Sequence, residues 1–359
     1  NVSNNTFGSI LKLTTFGESH GVAMGGVIDG LPSGLTIDME AIQQLVDHRR
    51  PGQSSITSPR NEQDRVEILS GVMDGMTLGT PIGFIIRNQD HRSHDYDQLK
   101  DLYRPGHADH TWELKYGVRD YRGSGRASAR ETVCRVVGGA FAMQLLKHYG
   151  VHIHAWTSSI GPVTLPDTFN PDFNAIYQND VRTCHQPTAD AMRQHIEDIR
   201  ITGDSCGGAI TCVIQNLPAG IGEPVFGKLP AQLAAAMMGI NAAKGFEMGD
   251  GFSGTLMKGS EHNDVMQNKN GITSTITNHA GGTHGGISNG NDIVFRVGFK
   301  PVSTIAVEQT TINRAGEEIS FSATGRHDPC VVPRAVPIVS SMAALVVADL
   351  MLKHRTTRL

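Results

Sequence analysis

Gly25-Gly26-Val27-Ile28-Asp29-Gly30-Leu31-Pro32-Ser33-Gly34-Leu35 reads as a strand that ends in a Leu-Pro-x-Gly turn and leads into a helical pattern. A second stretch, from Gly207-Gly208-Ala209-Ile210 through Leu217-Pro218-Ala219-Gly220-Ile221, reads the same way. The two passages are either a common strand-turn-helix unit met twice or the mark of two halves related by a pseudo-twofold. Around them, residues 82–87, 208–215 and 292–300 read as strands, and residues 38–50, 128–148, 230–240 and 336–352 as helices. The first helix stops at Pro51 with Arg49 and Arg50 at its end. The second opens on Ser128-Ala129-Arg130-Glu131, the pattern of a capping box, and stops at Gly150. Strands and helices are mixed rather than strictly alternating, which favours an α+β fold over a doubly wound parallel sheet. No Pro/Ser linker or low-complexity run interrupts the chain, so a single domain over residues 1–359 is expected.

A formal net charge of −4 argues against nucleic acid or an anionic membrane as the main partner. The basic residues are nevertheless biased in kind: 21 are Arg and 10 Lys, and 12 of the arginines fall between Arg49 and Arg135. Arginine is favoured where a planar fork must grip carboxylate or phosphate, although a solvated face gives the same count. Five widely spaced cysteines without a Cys-x-x-Cys pair point to reduced thiols and a cytoplasmic location. Residues 1–5 are polar and show no signal-peptide pattern. Residues 336–352, interrupted by Ser340, Ser341 and Asp349, fit a buried core helix better than a membrane span.

Several short stretches carry chemistry. Gly17-Glu18-Ser19-His20-Gly21 puts a carboxylate, a hydroxyl and an imidazole in one turn between apolar runs, as a catalytic turn or as a plain hairpin tip. Tyr121-Arg122-Gly123-Ser124-Gly125-Arg126-Ala127-Ser128-Ala129-Arg130 runs into a helix start, where exposed amides and arginines attract an anion. It lacks the Gly-Lys-Ser/Thr of a Walker loop and the glycine spacing of a dinucleotide fingerprint. Arg104-Pro105-Gly106-His107-Ala108-Asp109-His110 offers a second imidazole in a turn, with poor spacing for zinc. Residues 249–254 and 278–286 are rich in glycine, and Gly325-Arg326-His327-Asp328-Pro329-Cys330 joins a cation, an imidazole and a carboxylate. Together these pieces imply an enzyme for a small multi-anionic substrate, with phosphate clamps and histidine acid/base groups.

Taken in order, Gly17-Glu18-Ser19-His20-Gly21, Arg104-Pro105-Gly106-His107-Ala108-Asp109, Arg126-Ala127-Ser128-Ala129-Arg130-Glu131-Thr132 and Arg326-His327-Asp328-Pro329 resemble the chorismate synthase family, with similar spacing from Phe16 to Met342. The resemblance implies a β-α-β sandwich assembled as a homotetramer. It also implies a carbon-oxygen lyase of the shikimate pathway, which converts 5-enolpyruvylshikimate 3-phosphate to chorismate by 1,4-anti elimination of phosphate. Reduced FMN is required without net redox change and is expected from an external flavin reductase, since no added domain for NADPH is visible. By the same resemblance His20 serves the leaving phosphate, His107 the reduced flavin, and Asp328 the departing C6 proton. Ser19, Arg49, Arg60, Arg104, Arg130 and Arg326 match substrate-binding positions. Arg126, Ala127, Ser128, Asn241, Ala242, Gly285, Lys300, Pro301, Val302, Ser303, Thr304 and Arg326 match cofactor-binding positions. The chain departs from the family pattern at Ser54-Ser55-Ile56, at Thr283-His284 and at Ser340-Ser341. A different class, a non-catalytic FMN- or nucleotide-binding module, would need the arginines but not His20.

Overall fold

Alternation of buried and exposed residues along Ile82–Arg87 and Ile293–Phe299 gives each strand one apolar face, and that face sets the architecture. The computed structural model describes residues 4–50, 63–89, 93–325 and 327–359. One antiparallel sheet contains β1 (Thr6–Phe7), β2 (Lys12–Phe16), β3 (Ala23–Asp29), β4 (Glu67–Ile68) and β5 (Ile82–Arg87), in the order β1-β2-β3-β5-β4. A second contains β6 (His152–Ile160), β7 (Val163–Thr164), β8 (Gly208–Gln215), β9 (Ala243–Met248) and β10 (Ile293–Phe299), in the order β7-β6-β8-β10-β9.

The principal helices are α1 (Met39–Arg49), α2 (Asp109–Tyr116), α3 (Thr132–His148), α4 (Gln186–Ile201), α5 (Leu229–Met238) and α6 (Val332–His354). Helix α3 packs on β2 and β3, α6 packs on β6 and β8, and the two helices pack on each other with α1 against both. This is the α+β sandwich of helices between antiparallel sheets that the resemblance implied. Helix α6 is long and apolar enough to cross a membrane by length and composition, yet 89% of its most apolar window is buried inside the protein. It begins at Val332, earlier than the sequence reading, because Pro333 falls in the first turn, where no amide hydrogen is needed.

The central helices meet almost backbone to backbone. A Cβ on Gly139 would lie 2.2 Å from Ser341 Cβ and 2.4 Å from its Cα, so α3 and α6 cross where neither can carry a larger residue. The departure at Ser341 therefore keeps the crossing residue small. Asp349, also on α6 and 4% exposed, accepts hydrogen bonds from the amides of Ser9 (3.1 Å), Ile10 (2.7 Å) and Leu11 (2.9 Å) and from Ser9 Oγ (2.9 Å). The bend before β2 is thus pinned to the core helix by one carboxylate.

The internal echo is structural. Strands β3 and β8 each occupy the middle of a five-stranded sheet. After β3, Thr77 Oγ1 donates to Pro32 O (2.7 Å) and accepts from Leu35 N (2.9 Å), while Gly34 N donates to Thr77 O (2.9 Å). After β8, Ser288 Oγ donates to Pro218 O (2.6 Å) and accepts from Ile221 N (2.8 Å), while Gly220 N donates to Ser288 O (2.9 Å). Two turns with the same hydrogen-bond network make the Leu-Pro-x-Gly repeat more than a compositional coincidence.

The expected capping box is corrected. Ser128 Oγ accepts from Arg130 N (3.2 Å), residues Ala129–Glu131 form a 3-10 turn, and α3 starts only at Thr132. The Glu131 carboxylate does not reach back, because Thr15 Oγ1 (2.8 Å) and Arg135 Nε (2.8 Å) claim it.

The three atoms nearest a Cβ at Gly138 all belong to the Leu13 side chain, the first at 2.8 Å, and the end of that side chain can turn aside. Gly139→Ala should therefore cost more stability than Gly138→Ala, about 1–3 kcal/mol from overpacking. Urea unfolding of the two variants measures the difference; equal midpoints would refute the crossing as a constraint.

Candidate active site

The hairpin between β2 and β3 was read both as a plain tip and as a catalytic turn, and it is a connection that other segments hold in place. Ser19 N donates to Gly125 O (3.2 Å), and Ser19 Oγ to the carbonyls of Arg122 (3.3 Å) and Gly123 (3.1 Å). Asn88, immediately after β5, donates from Nδ2 to the carbonyls of Glu18 (3.1 Å) and Gly21 (2.8 Å). His20 lies edge-on to Tyr96, with ring centroids 4.8 Å apart. It also lies against Gly123, where φ is 64° and a Cβ would sit 2.5 Å from His20 Nε2. Glycine at 123 is thus required twice, for its backbone and for the imidazole.

Beneath the hairpin, arginines converge on a carboxylate. Arg130 donates from Nε to Asn88 Oδ1 (3.1 Å) and from Nη1 to Asp64 Oδ1 (2.5 Å). Arg49, 2% exposed, donates to Thr132 Oγ1 (3.0 Å) and Ala129 O (2.8 Å), and its Nη1 lies 3.7 Å from Asp64 Oδ2. Arg334, in the first turn of α6, donates from Nε to Arg49 O (3.2 Å) and from Nη1 to Asp328 Oδ2 (2.5 Å). The turn holding Asp328 is therefore linked through Arg334 to the end of α1.

His107 sits on the other side. Arg104 forms a bidentate pair with Asp109 (2.9 Å for both Nε and Nη2) and donates to Ser124 Oγ (2.6 Å), joining the His107 turn to the glycine loop. His107 Nε2 lies 3.1 Å from Thr304 Oγ1, and Ser303 Oγ accepts from Lys300 Nζ and donates to Gly106 O (3.1 Å). Burial, with the charges of Arg104, Lys300 and His327 nearby, lowers the His107 imidazole to about 4 despite Asp109. Burial and Lys244 likewise lower the Lys300 ammonium. Burial, which penalises charge of either sign, is the largest cause of both shifts, and the cations beside each group add to it.

Most of the expected cofactor residues meet in one place. Asn241 Nδ2 donates to Ala127 O (3.0 Å), and Lys300 N to Ala242 O (2.9 Å). Asn241 and Ala242 thus bridge Arg126-Ala127-Ser128 to the segment of Lys300, Pro301, Val302, Ser303 and Thr304. Arg126 donates to Asn5 Oδ1 (3.1 Å), Thr15 O (2.8 Å) and Thr15 Oγ1 (2.5 Å), whereas its buried Nη1 has no hydrogen-bond partner among the described residues. A cleft of about 720 Å³ opens beside Glu18, Trp112, Tyr116, Tyr121, Arg126 and Ala127. Its lining does not include His20 or His107. Gly285 is not brought to this cluster: its neighbour Gly286 packs on Lys228 before α5, whereas Asn241 follows α5, a helix about 15 Å long. Arg60, Arg326 and Ser54-Ser55-Ile56 lie outside the described residues.

A family model described as chorismate synthase matches residues 11–352. The chain belongs to the chorismate synthase family. The expected lyase class holds with that assignment. The chain is 56% identical over 356 residues to "Chorismate synthase" of Christiangramia forsetii, and 54% over 356 residues to that of Bacteroides thetaiotaomicron, covering 99% of each chain in both cases. A solved structure, "Crystal Structure of Chorismate Synthase", superposes with a TM-score of 0.78 at 29% identity, covering 97% of this chain and 93% of that one.

Three residues built into this candidate site escaped the sequence reading. Asp64 and Asn88 are single polar residues with no motif around them. Arg334 carried a usable signal, as a lone arginine at the head of an otherwise apolar helix.

The His107 shift fixes a pH dependence. Between about 4 and 6.5 the unfolded chain binds a proton at His107 that the folded chain refuses, so stability rises with pH across that window. The full span is about 3 kcal/mol. His48, also lowered to about 4 by burial and Arg182, acts in the same window. His154, also lowered by burial, adds slope of the same sign, so His107→Gln should flatten a measurable part of the slope in urea unfolding at pH 4 to 7; an unchanged slope would contradict a buried neutral imidazole.

Proposed function

We propose that this chain eliminates phosphate from 5-enolpyruvylshikimate 3-phosphate to give chorismate, a reaction of the shikimate pathway, and that it does so with reduced FMN bound. The observation that carries this reading is the neutral, buried His107 among Arg104, Lys300 and His327, facing the arm that ends in Thr304. Such surroundings suit a ligand that brings negative charge. Part of the expected set fits the group: Arg126, with a buried donor to spare, and Ala127 line a cleft of about 720 Å³ with aromatic walls, within the range of ligand pockets, whereas Ser128, Asn241, Ala242 and the segment from Lys300 to Thr304 are not in that lining. Arg126, Ala127, Ser128, Asn241, Ala242 and the segment from Lys300 to Thr304 would hold it, and it would supply an electron that is returned by the end of the reaction.

The remaining work belongs to side chains. His20, as imidazolium, donates a proton to the departing phosphate, and its contacts with Gly123 and Tyr96 orient the ring. Arg104 and Arg130 hold the anionic substrate, with Arg49 as the buried base of that clamp; Ser19, Arg60 and Arg326 complete the proposed set. Asp328, oriented by Arg334, assists loss of the C6 proton. His107 carries a proton at Nε2 toward the reduced cofactor, once anionic ligands have raised its affinity for one. The C3–O and C6–H bonds break, one C–C double bond forms, and no net electrons are exchanged. We further propose a homotetramer in the cytoplasm that draws reduced flavin from a separate reductase.

The test is an anaerobic assay with 5-enolpyruvylshikimate 3-phosphate and chemically reduced FMN, following phosphate and chorismate together. His20→Ala and His107→Ala should each lower turnover at least about tenfold, or about 1.4 kcal/mol of barrier. FMN binding without either product would favour the non-catalytic module instead.

A further inference from the structure

Cys206 and Cys330 come from distant parts of the chain and face each other behind the site. They pair as an isolated parallel bridge, and Cys206 N donates to Pro329 O (2.9 Å), which sets the two cysteines side by side. Paired strands lie about 4.8 Å apart, inside the Cα separation of about 4.4–6.8 Å that disulfides span. All five cysteines are free thiols. Burial pushes Cys134 and Cys184 up to about 12 and raises Cys212 as well, which leaves them unreactive. Only Cys206 moves the other way, lowered by the neighbouring Cys330 thiol. Cys206 is 6% exposed and Cys330 1%, so a small neutral oxidant suits the pair better than a bulky one.

Each cysteine is tied to a different arm of the site. Ser205, adjoining Cys206, donates from Oγ to Val302 O (2.6 Å), in the segment whose Thr304 meets His107. Cys330 follows Asp328 by two residues, and Asp328 is held by Arg334. A bond between the sulfurs, at about 2.05 Å, would tie the two arms covalently to each other and fix their relative position. A displacement of about 1 Å at a catalytic group can cost about 10²-fold in rate.

We propose that Cys206 and Cys330 are a modification site for hydroperoxides, forming a reversible disulfide that switches the enzyme off. The Cys206 thiolate attacks a peroxide oxygen and breaks the O–O bond, giving a sulfenic acid and hydroxide, which takes up the thiol proton as water. The Cys330 sulfur then attacks the Cys206 sulfur and displaces a second water. Two thiols and one hydrogen peroxide thus become one disulfide and two waters. Reduced flavin in air generates hydrogen peroxide, so the oxidant arises where such a cofactor is used. Loss of activity rests on the lyase reading above; formation of the bond does not.

The experiment treats the full-length, pre-reduced protein with hydrogen peroxide, removes the oxidant, and divides the sample between peptide mass mapping and the anaerobic lyase assay. Expected are a loss of about 2 Da, with peptides containing Cys206 and Cys330 joined, and at least about tenfold lower turnover restored by dithiothreitol. Cys206→Ser should keep untreated activity within about twofold and resist peroxide. Sulfinic acid at either cysteine without a joined pair would overturn the site, and a joined pair with full turnover would overturn the switch. Absence of lyase activity before oxidation would sink the functional reading, and the mass map would still decide whether the bond forms.

Discussion

The crossing of α3 and α6 at Gly139 and Ser341 is the constraint on which the rest of the structure depends. Each helix carries a sheet on its outer side, so their separation sets the thickness of the whole sandwich. Close-packed interiors transmit a change of one methyl group to their neighbours. Here the neighbours include β2 and β3, which lead into the His20 hairpin, and the start of α6, which carries Arg334. The crossing thus fixes the distance between groups that never touch it.

The site lies where the two repeats offer equivalent ends. Asn88 follows β5, the strand beside β3, and holds the His20 hairpin through Glu18 and Gly21. Lys300 follows β10, the strand beside β8, and opens the arm that reaches His107 through Thr304. The glycine loop before α3 joins both sides, through Ser19 on one and through Arg104 and Asn241 on the other. Charge divides along the same line. Arg49, Arg130 and Arg334 are bound to Asp64 and Asp328, whereas His107 and Lys300 are held in surroundings that disfavour their charged forms.

Much of this was legible in the sequence because periodicity and turn chemistry are local. Helix α1 begins after its Asp38 cap, and β5 and β8 have the bounds their apolar patterns imply. The Leu-Pro-x-Gly repeat could be read because one hydroxyl stitches each turn, although Thr77 and Ser288 lie far from the glycines they hold. The capping box failed for a nonlocal reason: Glu131 was taken by Thr15 and Arg135, which no window around Ser128 includes. Asp64 and Asn88 were missed likewise, since a single polar residue acquires meaning only from the arginine folded onto it. The motifs for His20, His107 and Asp328 were visible, but the arms that orient them, Tyr96, Thr304 and Arg334, required the fold.

Helix α6 follows every other principal element in chain order, yet it is the central layer. Until it is made, the faces of β6 and β8 that it covers are open, the bend held by Asp349 is loose, and Asp328 has no Arg334 to orient it. During synthesis apolar sheet surface therefore stays uncovered until this helix has left the ribosome. Such exposure is what chaperones guard against. Assembly then brings packing and chemistry into being together, so a partly made chain holds no working fraction of the site.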